Sequence, residues 1–256
     1  MGVIYRIAKE NEKALEYYDK VIEFNPNYAL AYLNKGNVHF ERKEYEKAII
    51  QYKKAISNDP CLVTARLRLG DIYDTQNLHD LAVNTYEEII SIFNNHIGAK
   101  LKLSRIKMNN NQHNEAIEIY LDILKIEPEN LDALFGFAYC NNALKNTDLA
   151  IETYRELLTL KPDDVNAMNN LGVIMFEKGD IQAAKSHYFS AIKLRPDHLT
   201  ANKNLIHLYE TEEEVELALD LCEKVISRHI GDKVFLTIKE KLVVKKNHNK
   251  KIQSTS

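Results

Sequence analysis

Alanine returns every 34 residues, without insertion or deletion, at Ala14, Ala48, Ala82, Ala116, Ala150, Ala184 and Ala218. Four residues after each of the first six stands a tyrosine, from Tyr18 to Tyr188, and Cys222 takes the seventh slot. A globule with one core has no reason to keep such a register. A constant period of this length marks a stack of like supersecondary units, each covering the apolar face of its neighbour. The domain count that 256 residues would otherwise suggest therefore carries no weight.

Within one unit, Ala29 to Phe40 and Tyr45 to Ser57 each carry apolar residues at three-to-four spacing, which predicts two amphipathic helices. Lys43-Glu44 forms the turn between them. Pro60 closes the second helix, and Pro26, Pro128, Pro162 and Pro196 stand at the same phase. Proline cannot continue a helix but can open the next one. The eighth place of the first helix holds Gly2, Gly36, Gly70, Ser104, Ala138 and Gly172. Glycine inside a helix costs about 1 kcal/mol relative to alanine, so its return implies a close approach of the partner helix. The tyrosines are expected to fill the grooves between successive units, with their phenol edges near solvent.

This pattern resembles the tetratricopeptide repeat. Met168-Asn169-Asn170-Leu171-Gly172, Ala184, Tyr188, Ala191 and Pro196 follow the family pattern closely, and the likeness runs from Met1 to about Asp232. It implies an all-α fold, a right-handed solenoid of antiparallel helix pairs in seven units of about 1–28, 29–62, 63–96, 97–130, 131–164, 165–198 and 199–232. Asn94 and Ile230 depart from the terminal proline, Ile206 from the glycine place and Cys222 from the aromatic. The phase puts Met1 at the seventh place of its unit, which shortens the first helix; a fragment and a native start both remain open. Residues 233–246 are expected to form a helix that solvates the last groove, and 247–256 a basic disordered tail.

Chemistry leaves little trace. No phosphate loop, nucleophile motif or Cys/His metal spacing occurs, so neither catalysis nor a cofactor is expected. His79 and His113 recur at one phase beside a turn, and Glu212-Glu213-Glu214 is a charged turn; both read as solvated surface. A net charge of -3 argues against general nucleic-acid binding. No apolar run approaches the ~18 residues that would predict membrane insertion, and Met1–Glu10 does not read as a signal peptide. Cys61, Cys140 and Cys222 are odd in number and far apart, as free thiols in the cytosol would be.

The resemblance implies that the first helices line a concave groove, with the second, fifth, sixth and ninth places of each unit facing it. Those places hold Asn34, Asn37, Arg68, Lys102 and Arg105, then Phe135, Tyr139, Asn166, Asn169, Asn170 and Asn204. Arginine and lysine would pair with acidic groups of a peptide, asparagine amides would bind its main chain, and Leu67, Leu101, Phe135 and Tyr139 would anchor apolar side chains. The carboxylate clamp of chaperone-binding relatives is not matched: aligned from Leu33 it falls on Leu33, Asn37, Arg68, Gly98 and Lys102. The expected function is a non-catalytic protein-interaction scaffold that captures a peptide or helix. Two rival readings are the binding portion of a larger enzyme, such as one like the O-linked N-acetylglucosamine transferases, and self-association through the open N-terminal end.

Overall fold

The computed structural model describes residues 1–255, with side chains through His248. All regular structure among them is helical, and the chain divides into two compact units, Met1–Pro128 and Glu129–Ser256. The first unit holds α1 (Gly2–Ile7), α2 (Asn11–Phe24), α3 (Ala29–Glu41), α4 (Tyr45–Asn58), α5 (Val63–Thr75), α6 (His79–Ile92), α7 (Ile97–Asn109) and α8 (His113–Ile126). The second holds α9 (Leu131–Ala143), α10 (Thr147–Leu160), α11 (Val165–Glu177), α12 (Ile181–Leu194), α13 (Leu199–Thr211), α14 (Val215–Arg228) and α15 (Lys233–Thr255). Each unit is a solenoid of helix pairs, odd helices first and even helices second.

Both kinds of helix end in the same way in every repeat. Within a pair, the turn passes through one left-handed residue, at Lys9, Lys43, Asn77, Asn111, Lys145, Gly179 and Glu213. Only one of the seven is glycine. The others take a backbone conformation that costs an L-residue roughly 1–2 kcal/mol, so packing of the pair imposes the turn. Between pairs, the residue before the proline is extended, as at Asn25 (φ -139°) and Asp59 (φ -138°), which proline's ring requires. Phe93 keeps nearly the same φ, -130°, although Asn94 follows it. The break therefore survives loss of the proline.

All seven comb alanines have no exposed surface. The tyrosines behave otherwise than their pattern predicted. Tyr52, Tyr86, Tyr154 and Tyr188 are at most 2% exposed, so their rings do not reach solvent. Tyr52, Tyr86 and Tyr188 lie on the glycine of the first helix of their own pair, and Tyr154 packs against Phe135 of its own pair while its hydroxyl meets Asn170 of the next. A Cβ at Gly36 would stand 2.5 Å from Cε1 of Tyr52, and one at Gly172 the same distance from Cε1 of Tyr188. Glycine recurs because an aromatic ring occupies the volume of its missing side chain.

A second recurring contact closes the turn between pairs. The fourth residue of the first helix reaches back to the prolyl carbonyl: Tyr32 Oη donates to Pro26 O at 3.0 Å, Asn202 Nδ2 to Pro196 O at 3.0 Å, and Arg66 Nη1 to Pro60 O. Three residue types meet one acceptor, which side-chain chemistry alone would not reveal.

The last helix corrects the expectation for the C-terminus. It runs through 247–255, beyond the boundary at 246, because neither glycine nor proline follows Gly231 to stop it; Ser256 lies outside the described residues. Phe235 and Leu242 are buried at the phases of Ala201 and Leu208, so α15 stands as the first helix of a further repeat. Cys222 Sγ donates to Phe235 O at 3.3 Å, and Lys239 pairs with Glu223 at 2.8 Å.

Candidate functional site

In the first unit, α3, α5 and α7 carry the predicted binding residues on one face each. Three predicted cations lie there, and two of them are already engaged. Lys102 Nζ is 2.7 Å from Asp71 Oδ1, and Arg105 Nη2 is 2.9 Å from Asp74 Oδ2. Arg6 and Glu41 form a like pair between α1 and α3. The expectation that lysine and arginine await a partner's acidic groups is thereby corrected for Lys102 and Arg105. Each is an ion pair between adjacent repeats, formed because the helix behind presents a carboxylate one turn further along.

Arg68 differs. Its nearest carboxylate oxygen, Asp71 Oδ2, is 3.9 Å from Nη1, and its guanidinium lies 5.8 Å from the ring centroid of Phe40. The two asparagines of α3 also look inward to the protein. Asn34 Nδ2 donates to Leu30 O of its own helix at 2.8 Å, and Asn37 Oδ1 accepts from Tyr52 Oη at 2.9 Å. Tyr86 Oη likewise donates to Asp71 Oδ1 at 3.0 Å. Burial, and then the Asp71 carboxylate, push the Tyr86 phenol up, which keeps it a donor.

In the second unit, three predicted residues meet in one relay that ends on Tyr154. Asn204 Nδ2 donates to Asn169 Oδ1 at 2.9 Å, Asn169 Nδ2 to Asn170 Oδ1 at 3.3 Å, and Asn170 Nδ2 to Tyr154 Oη at 2.9 Å. Asn169 is 5% exposed and serves as the inner link, while Asn170 and Asn204 remain half-buried with amide edges unspent. Phe135 packs edge-on against Tyr154, with centroids 5.8 Å apart, and Tyr139 is 43% exposed.

Asn166 belongs to a separate contact, 3.0 Å from His198 Nε2. His198 Nδ1 accepts from the Ala201 N–H and caps α13, so the ring proton sits on Nε2 and is given to Asn166 Oδ1. Burial first, and then Arg195, lower the His198 pKa from 6.5. Because the folded value is below the unfolded one, stability is full above the unfolded pKa and falls as the pH drops through 6.5 toward the folded value. Urea melts at pH 7.5 and 5.0 are expected to show a loss of up to about 1 kcal/mol from this cap, with solvent screening limiting it. His198→Asn, which keeps an acceptor but cannot protonate, should remove that share of the slope; an unchanged slope would refute the assignment.

Sequence reasoning passed over the groups that hold the predicted ones in place: Asp71 as a carboxylate partner, Asp74, the hydroxyls of the comb tyrosines and His198. A signal existed for some of them. Asp71 precedes Lys102, and Asp74 precedes Arg105, by the same 31 residues, one period less one helical turn. Among the described residues, no group of three or more His, Cys, Asp or Glu could hold a metal ion, and no helix is long and apolar enough to cross a membrane.

Family models described as TPR repeat and tetratricopeptide repeat match residues 2–43, 29–60, 63–96, 101–165 and 146–188. The chain belongs to the tetratricopeptide repeat family. No curated protein matches it in sequence. Several solved repeat structures match its fold. A tetratricopeptide repeat protein from Parabacteroides merdae is 16% identical, with 94% of this chain and 96% of that one covered and a TM-score of 0.71. YrrB, described as a TPR protein with an unusual peptide-binding site, is 24% identical over 73% of this chain and 96% of its own, at a TM-score of 0.63. PilF of Pseudomonas aeruginosa is 15% identical over 83% and 97%, at 0.67. This tetratricopeptide repeat chain thus shares the helical-repeat fold of these proteins at 15–24% sequence identity.

Proposed function

We propose that the chain is a non-catalytic scaffold of the cytosol that captures an extended peptide segment of a partner protein on the faces of its first helices. The observation that carries this reading is the amide relay from Asn204 to Tyr154. Buried Asn169 and Tyr154 fix the orientation of Asn170 and Asn204, whose remaining N–H and C=O groups match the alternating donors and acceptors of a peptide main chain. Preorganised amides bind without the entropy loss of ordering them first. YrrB, a fold relative described as having an unusual peptide-binding site, supports the peptide part of this reading.

The ion pairs of the first unit narrow the expected preference for acidic partners to Arg68, since Lys102 and Arg105 already have carboxylates. The reading is tested by affinity purification with the native chain and with an Asn170→Ala, Asn204→Ala double variant, followed by mass spectrometry. A partner retained by the first and lost from the second, at equal helicity by circular dichroism, is the expected result. Retention of the same proteins by both would count against capture at these amides.

A further inference from the structure

The comb of prolines has a gap inside the first unit, at Asn94, and a cavity of about 630 Å³ opens there. Val63, Leu67 and Phe93 form its apolar wall, with Thr64 and Asn94 at its polar edge. Phe93 is 40% exposed, so the cavity opens to solvent through an aromatic edge. Thr64 and Arg68 are four residues apart on α5, which places Arg68 one helical turn from the cavity on the same face.

Arg68 is the cation of that face which the protein itself leaves unsatisfied. Arg6, Lys102 and Arg105 each donate to a carboxylate of an adjacent repeat. Arg68 makes no hydrogen bond among the described residues, and only the 3.9 Å approach to Asp71 offsets its charge. The Phe40 ring beside its guanidinium restrains the planar group while leaving its edge donors to a ligand. A guanidinium held in this way is suited to bidentate recognition of a carboxylate.

We propose that these two features form one subsite, which selects partner peptides carrying a bulky apolar residue next to an acidic one. The apolar side chain enters the cavity beside Leu67 and Phe93, and the neighbouring carboxylate pairs with Arg68. Charge complementarity chooses this occupant over a basic peptide, which would meet a cation only weakly offset by Asp71 at the cavity edge. The proposal rests on the peptide-capture reading and specifies its ligand.

The test is selection of a phage-displayed random dodecapeptide library on the intact chain. The strongest binder is then made with a fluorescein label and its Kd measured by anisotropy. Analogues with the acidic residue changed to its amide, or the apolar residue changed to alanine, are measured on the native chain, on Arg68→Gln and on Thr64→Phe, which fills the cavity from an exposed position. Selected peptides are expected to join an apolar residue to Asp or Glu. The amide analogue should lose about tenfold on the native chain and nothing on Arg68→Gln, and Thr64→Phe should weaken the parent peptide by about tenfold or more. Binders without that pairing, or an equal amide penalty on Arg68→Gln, would overturn the subsite while leaving peptide capture intact. Recovery of no binder by a chain of native helicity would overturn both.

Discussion

Tyr52→Ala is expected to destabilise the first unit by about 3–5 kcal/mol, the range for removing a fully buried aromatic side chain. Tyr52 has no exposed surface, its ring fills the space above Gly36, and its hydroxyl holds Asn37. In a stack where each repeat leans only on its neighbours, the loss stays local. Hydrogen exchange should therefore show faster opening of amides in α3 to α6, with α11 to α14 unchanged. The glycine provides a sharper check. Gly36→Ala should cost about 1–3 kcal/mol in the native chain, because its Cβ meets the Tyr52 ring at 2.5 Å. With Tyr52 already alanine, the same change should stabilise by up to about 1 kcal/mol, since alanine is then simply the better helix former. If Gly36→Ala has the same sign in both backgrounds, the ring is not the reason for the glycine.

The second large effect is expected at Asp71. Its Oδ1 accepts from Lys102 Nζ and from Tyr86 Oη, joining α5 to α7 of the next repeat and to α6 of its own. Asp71→Ala leaves the buried phenol without its acceptor and the ammonium without its partner, at a cost of about 2 kcal/mol. Tyr86→Phe alone should cost about 1 kcal/mol, and almost nothing once Asp71 is alanine. Chemical denaturation of the four chains closes the cycle. Additive costs would show that the phenol and the carboxylate do not act together, and would remove Asp71 as the hub of this face.

The architecture was readable from the chain because it depends on local phase. The comb alanines, the helix pairs and the places of Asn94 and Ile230 all follow from counting in one period. The packing partner of the tyrosines was not readable. A tyrosine sixteen residues after a glycine is equally consistent with a ring on its own pair or in the groove to the next, and only the backbone path selects the first. For the same reason, residues 247–255 looked polar enough to lack structure, whereas the helix begun at Lys233 continues through them.

The binding face shows the same division. Its residues were identified by place, but their condition was not. Arg68, Lys102 and Arg105 read as three equivalent cations, since charge and phase are all that a sequence displays. Asn169 and Asn170 read as equal amides, although Asn169 is a buried link and Asn170 keeps an edge toward solvent.

By itself, then, the sequence determined the period, the helical pairs and the set of side chains that leave the common core. Those are properties of residue type and spacing along one chain. Only the tertiary structure decided which of the departing side chains are already satisfied, because that depends on groups 31 to 35 residues apart meeting at hydrogen-bond distance. Lys102 and Arg105 are spent on neighbouring repeats; Arg68 lacks a hydrogen-bonding partner because its nearest carboxylate faces Lys102 and Tyr86 instead.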